Sequence, residues 1–362
     1  MKKILSLLLC ITIIAAVASG CGNADVTDPA SSEGSSTADI SPADISPAET
    51  DSVPETESRF AFQPKVSSPF LEEVFGKDMC DAWFNLVDAV MAGEDTFACP
   101  DQHTYDWIMG QFRDRCFPLL VDMIDYPYDR SNSVKDGVGQ FVYTVPKKEA
   151  SQKIEEFKQL VEGILNEVLK PEYNDFEKAL ALYCYFSRTY EYDYETYELD
   201  KIDQTKTGYT SAYRFLTTKT GICREAARAY SYLLMQVGVD ASVVMSASNY
   251  GEQHEWSIIK LGENYYHIDP TLVMGIYDRL DYFMMDDGRR CNEGNFPKEN
   301  FTYVSNYSRE HPCPDYSAND DAFKALWTSS LKSFDPVAKT LEYQIYDDDL
   351  QTHIYQFDYS AY

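Results

Sequence analysis

The chain has 362 residues, of which 31 are basic and 59 acidic, giving a formal charge of −28; 44% of the residues are apolar. Phosphate backbones are repelled by such a surface, so nucleic acid is excluded as a partner, while basic protein substrates or plain solubility are roles that acidity can serve. Nine cysteines and five histidines include no C-x-x-C pair and no histidine cluster, so no structural zinc, other metal or cofactor is expected.

In chain order, residues 1–20 open with Lys2 and Lys3, run through apolar Ile4 to Val17 and end in Ala18-Ser19-Gly20 before Cys21. This is the pattern of a secretory signal, too short and wrongly flanked for a spanning helix. Small residues directly before a cysteine resemble a bacterial lipoprotein processing site. That resemblance implies cleavage before Cys21, a diacylglyceryl thioether on it, and an exported protein held at the membrane by its lipid. The alternative is an ordinary signal peptide that ends near a cysteine.

Residues 21–58 are dominated by Ser, Asp, Ala, Pro, Thr and Glu, with ADISP at Ala38–Pro42 and again at Ala43–Pro47. So few apolar groups cannot offset chain entropy, and the segment reads as a disordered tether. Its coil reach is roughly 35 Å.

Residues 59–165 read as a mostly helical N-terminal region. Phe70, Val74 and Phe75, then Trp83, Leu86, Val87 and Val90, repeat at helical spacing. A strand is expected over Gln140–Val145, ending at Pro146. Another helix is expected from Ile154, Phe157, Leu160, Val161, Ile164, Leu165 and Val168.

Residues 166–290 carry the chemistry. A helical run, Glu177–Tyr190, comes first. Cys223, Ala226, Ala227, Tyr230, Leu233, Leu234 and Val237 then form the stripe of a helix packed on a core. Thr220 is expected to cap this helix, Gly221 to turn the chain in and Gly238 to end it. Cys223 therefore falls in the first turn, where unpaired N–H groups and the helix dipole favour a thiolate and could hold an oxyanion.

Two strands follow, His254–Lys260 and Asn264–Asp269, around a hairpin turn at Leu261-Gly262-Glu263. If Gly262-Glu263 are the turn residues, Trp256 lies opposite Asp269, with His254 its diagonal neighbour on the same face. A one-residue slip would separate them. Thiol, imidazole and carboxylate, in that order on three elements, are what a nucleophile, a base and an orienting acid require.

The stretch TGICREAARAYSYLLMQVGVDASVVMSASNYGEQHEWSIIKLGENYYHIDPT resembles the transglutaminase-like core of the papain-like cysteine enzymes. The likeness lies in its G-x-C helix, H-x-W strand and Y-x-x-D-P-T strand end, and is closest over residues 175–287. It implies an α+β papain/transglutaminase-like fold, a Cys-bearing helix packed on an antiparallel sheet that bears His and Asp. It further implies Cys223 as nucleophile, His254 as base and Asp269 as orienting acid. Many relatives carry Gly two places after the nucleophile and Asn after the H-x-W tryptophan. Here Glu225 and Ser257 stand at those places, which bears on substrate shape.

Six cysteines remain besides Cys10, Cys21 and Cys223: Cys80, Cys99, Cys116, Cys184, Cys291 and Cys313. Export would permit three disulfides; with Cys184 packed as a buried thiol in its helical run, at most two form. In the C-terminal extension, 291–362, Tyr282–Met285 just upstream reads as a further strand, and periodicity lapses over Gly288–Ala318. A short helix is expected near Asp321–Trp327, then a hairpin of Leu341–Tyr346 and His353–Phe357 about an Asp347–Asp349 turn.

The expected function is a surface-anchored cysteine enzyme that cleaves or transfers the acyl group of a peptide or protein amide, with Cys223 N–H as one oxyanion donor. Tyr209 and Tyr213 are both candidates for the second donor and for substrate contact, and Trp256 is expected to wall the site. Hydrolysis and transfer to an amine remain alternatives. The rival is a binding or scaffold module with the same fold and an idle triad.

Overall fold

In the computed structural model, the helix Cys223–Gln236 lies against a four-stranded antiparallel sheet in the spatial order Asn264–Ile268, Gln253–Leu261, Ala241–Ala247 and Thr302–Tyr303. The residues described are 60–202, 210–303, 314–346 and 351–362. Cys21 with the signal and tether, Tyr209, Cys313 and the Asp347–Asp349 turn fall outside them. The fold is α+β, as expected, with all pairings in this central sheet antiparallel.

Register is the feature that matters for the site. Asn264 pairs with Leu261 and Ile268 with Ser257, so Gly262-Glu263 are the two turn residues. Gly262 has φ 62°, the left-handed conformation that a tight hairpin demands. Asp269 thus emerges one step beyond the last pair, on the side of Trp256 and His254. The strand Ala241–Ala247 was not anticipated; its mostly buried residues lack the alternation that marks a half-exposed strand.

The Cys223 helix starts where expected but is built differently. Its N-cap is Ile222, not Thr220. Thr220 and Gly221 instead make a short parallel bridge with Glu191 and Tyr192. Gly221 is required for space more than for turning: a Cβ there would lie 2.5 Å from Phe215 Cδ2 and 2.9 Å from Glu225 Oε2. Gly238, with φ 79°, ends the helix as read from the sequence.

Upstream, Asp175–Thr189 is a helix opened by a capping box between Asn174 and Glu177. Lys147–Val168 forms one long helix that runs across residue 165. The single strand expected over Gln140–Val145 is two, Val138–Gln140 and Val142–Tyr143, in different small sheets. Phe141, which lies between them, is buried in the core.

Downstream, Tyr282–Met285 is not a strand; Met285 makes an isolated bridge to His267, and Met284 has φ 52°. Asp287–Asn292, expected to be irregular, is a short helix capped by Asp286. The helix expected near Asp321–Trp327 is a single 3-10 turn, Lys324–Leu326. The terminal strands Thr340–Tyr346 and Thr352–Asp358 are present and gain a third, Ser330–Asp335. Cys80, Cys99, Cys116, Cys184, Cys223 and Cys291 are free thiols, so the bridges that export would permit are not formed among the described residues. Cys184 is buried in its helix, and burial pushes its thiol up to about 12.

Candidate active site

Cys223 is the first helical residue, and its backbone N–H is among those a helix start leaves without an intrahelical partner. With no side-chain acceptor on Ile222, the cap is supplied from inside the helix. Glu225 Oε2 accepts the Ile222 N–H at 3.0 Å. Arg214 grips the same carboxylate twice, Nε to Oε1 at 2.8 Å and Nη2 to Oε2 at 2.6 Å, and the Ser211 N–H donates to it at 3.0 Å. Glu225 therefore ties the segment before Cys223 to the helix that bears it. Ser257, the other departure, donates to the Ala227 carbonyl and accepts from the Ser231 hydroxyl, each at 3.0 Å, locking the strand to the helix.

The three expected residues converge. His254 Nε2 lies 2.6 Å from Asp269 Oδ2, and the Cys223 thiol is within hydrogen-bonding reach of the same imidazole. With Nε2 engaged by Asp269, Nδ1 is the nitrogen left for the thiol. Asp269 has no exposed surface. Its Oδ1 accepts the Thr271 N–H at 3.2 Å, and its own N–H donates to the Tyr282 carbonyl at 2.9 Å. Cys223 keeps 9% of its surface and the His254 side chain 13%, so the pair is reachable from solvent while the carboxylate is sealed behind it.

Electrostatics follow from that placement. Burial penalises a charged His254, but the Asp269 carboxylate and the contact with Cys223 outweigh it and raise the imidazole to about 10. Burial likewise penalises charge on Asp269, yet His254 and Arg290 hold its carboxyl below the ordinary 3.8. This is a tightly coupled pair in which Asp269 keeps the charge and His254 the proton.

Trp256 does not wall the site: it is fully buried and sits behind the imidazole, ring centroids 5.9 Å apart at 30°. A side chain with no surface cannot touch substrate. Its indole N–H donates to His267 Nδ1 at 3.0 Å, and His267 Nε2 in turn meets Asp287 Oδ1 at 2.9 Å. Burial lowers His267 against the opposing pull of Asp287, which suits a neutral ring that accepts at one nitrogen and donates at the other. Tyr213 is directed elsewhere too, packing edge-on against Phe157 of the long helix with ring centroids 5.7 Å apart.

Sequence reasoning missed three neighbours. Tyr192, next to Gly221 in the parallel bridge, lies close enough to Cys223 and Asp269 to feel their charge. Phe296 stacks on His254 at 5.7 Å and 26°, and Arg290 Nη1 reaches 3.5 Å from Asp269 Oδ2. A tyrosine two residues past a helix end was a weak signal for Tyr192; nothing local marked the other two.

Residues 162–270 match the family model of the transglutaminase-like superfamily. Among solved structures, the chain is similar to one described as a TGase, at 17% identity and a TM-score of 0.29, covering 40% of this chain and 36% of that one. It thus spans about a third of the length of that protein. It is also similar to "a Putative Cysteine Protease from Cytophaga hutchinsonii", at 14% identity and a TM-score of 0.27, over 66% of this chain and 75% of the other. No curated protein sequence matches the chain.

Proposed function

From the transglutaminase-like domain carried at residues 162–270, we propose that this protein is a cysteine enzyme acting on peptide or protein amides through Cys223, His254 and Asp269. The observation that supports it best is the 2.6 Å contact of His254 with buried Asp269, combined with a Cys223 thiol at a helix start within reach of the same ring.

The reaction follows from these positions. The sulfur, its proton resident on the imidazole, attacks the amide carbonyl; a C–S bond forms and the carbonyl oxygen takes the negative charge. The Cys223 N–H, at the positive end of its helix, stabilises that oxygen, and Tyr192 is now the better candidate than Tyr213 for a second donor. His254 then delivers its proton to the nitrogen as the C–N bond breaks, releasing the amine. Water or an amine, deprotonated by the neutral imidazole, attacks the thioester and restores the thiol. Asp269 stays ionised throughout and holds the ring by Nε2. The protein would act outside the cytoplasm, tethered by a lipid on Cys21.

Two measurements test the reading. Cys223 of the wild type should alkylate with iodoacetamide near neutral pH, and His254→Ala should slow that labelling by about tenfold or more. Equal rates would remove the enzymatic assignment. Ammonia release from peptides offered with and without a primary amine, read alongside amine incorporation, separates transfer from hydrolysis.

A further inference from the structure

Behind Asp269 stands a cation that the reaction above does not use. Arg290 is 1% exposed, and its Nη1 lies 3.5 Å from Asp269 Oδ2, the same oxygen that His254 Nε2 approaches to 2.6 Å. The guanidinium lies 4.3 Å above the Trp256 ring and 4.8 Å above Phe296, the two rings that also stack on His254. Among the described residues, its Nε and Nη1 have no hydrogen-bond partner. A buried charge so poorly solvated is expensive to keep, and an ion pair at this depth is a weak device for stability.

The fold delivers this group deliberately to the triad. On the helix Asp287–Asn292, Asp287 and Arg290 stand at i and i+3, on one face. On the facing strand and its end, His267 and Asp269 stand at i and i+2, again on one face. Asp287 meets His267 and Arg290 meets Asp269, so one short helix is registered against the acid end of the triad through two buried polar pairs. This helix lies beyond the residues that match the family model.

We propose that Arg290 is a positioning residue of the triad: it fixes the Asp269 carboxylate from behind and offsets part of its charge, so that His254 can still give up its proton. The proposal rests on the reading of Cys223, His254 and Asp269 as a triad. In a dry site an unopposed carboxylate would hold the imidazolium proton too firmly for efficient transfer. Arg290 competes for the same oxygen and tempers that grip. The other titratable groups facing Asp269 are Tyr183, Tyr192 and Tyr282. Burial pushes all three phenols up, Tyr282 to about 12, so they stay neutral where His254 titrates. Glu293, Tyr282 and Cys291 face Arg290 itself, and Lys298 is occupied by Asp287 at 2.5 Å.

The experiment is the NMR titration of the His254 ring in the full chain, with the resonance assigned by its absence from His254→Ala. Arg290→Met, which preserves the stacking volume but not the charge, should raise the midpoint by about one pH unit, a tenfold change in the imidazolium ratio. Arg290→Gln should do the same and serves if the Met variant fails to fold, while Arg290→Lys should stay within about 0.3 unit of the wild type. An unchanged or lowered midpoint in the uncharged variants, or a Lys variant displaced as far as they are, overturns the proposal. Iodoacetamide labelling of His254→Ala separates the two levels. If it labels like the wild type, the triad itself fails and Arg290 with it; if it labels slowly but the uncharged Arg290 variants titrate like the wild type, Arg290 alone falls.

Discussion

Each residue of the proposed triad has a separable burden. Cys223→Ala removes the covalent route and His254→Ala the proton carrier, so both should abolish nearly all turnover. Asp269→Asn retains size and one hydrogen bond but loses the charge that supports the imidazolium, and should lose on the order of 10²–10⁴ in kcat with the thermal midpoint within a few degrees of wild type. Full activity in that variant, or its unfolding, would leave Asp269 a structural residue. The coupling also shows in stability. His254 is raised from 6.5 to about 10 in the fold, so its contribution is complete below 6.5 and is lost as pH rises through about 10. Asp269 is lowered from 3.8, so its contribution is present above 3.8 and lost as pH falls through the lowered value. The melting difference between wild type and Asp269→Asn should therefore be flat from pH 3.8 to 6.5 and shrink toward pH 10. A difference that grows with alkalinity would contradict the pairing.

At the scale of elements, the site depends on how the Cys223 helix is approached. The bridge of Thr220–Gly221 to Glu191–Tyr192 sets both the thiol and Tyr192, and it has no room at Gly221, where a Cβ would stand 2.5 Å from Phe215 Cδ2. Gly221→Ala should destabilise by about 1–3 kcal/mol and slow Cys223 labelling by more than the lost stability alone predicts, which denaturant melts run beside alkylation rates would reveal. An Ala variant that melts and labels like the wild type would mean Phe215 swings aside freely. The hairpin works differently: its register is local, and the spacing gives it once Gly262-Glu263 are the turn residues, as they are here. The bridge joins residues about thirty positions apart, and no periodicity in either partner announces the other.

Across the whole molecule, the N-terminal region braces the Cys223 helix and the His254 strand through charge. Arg228 of the Cys223 helix holds Glu255, next to His254 in sequence, at 2.8 Å and Asp114 at 2.6 Å, and burial of the guanidinium is outweighed by both carboxylates, which raise it. Arg228→Met would leave two largely buried carboxylates without their cation and should cost about 3–5 kcal/mol; a melting curve unchanged by the substitution would show that the brace is dispensable. If Cys21 bears the lipid, Cys21→Ser should move the protein from the membrane to the soluble fraction, and mass spectrometry should find the wild-type mature chain beginning at Cys21. A mature N-terminus elsewhere removes the anchor and leaves the catalytic reading standing. The sequence by itself determined the Cys223 helix, the presence of the hairpin and the order of thiol, imidazole and carboxylate, because helical stripes, strand alternation and tight turns are written in neighbouring residues. Only the tertiary structure decided that Trp256 is sealed behind His254, that Tyr192 rather than Tyr213 flanks the thiol, and that Arg290 stands behind Asp269. Aromatic and charged side chains find their partners by burial against distant segments, and burial of that kind leaves no period in the chain.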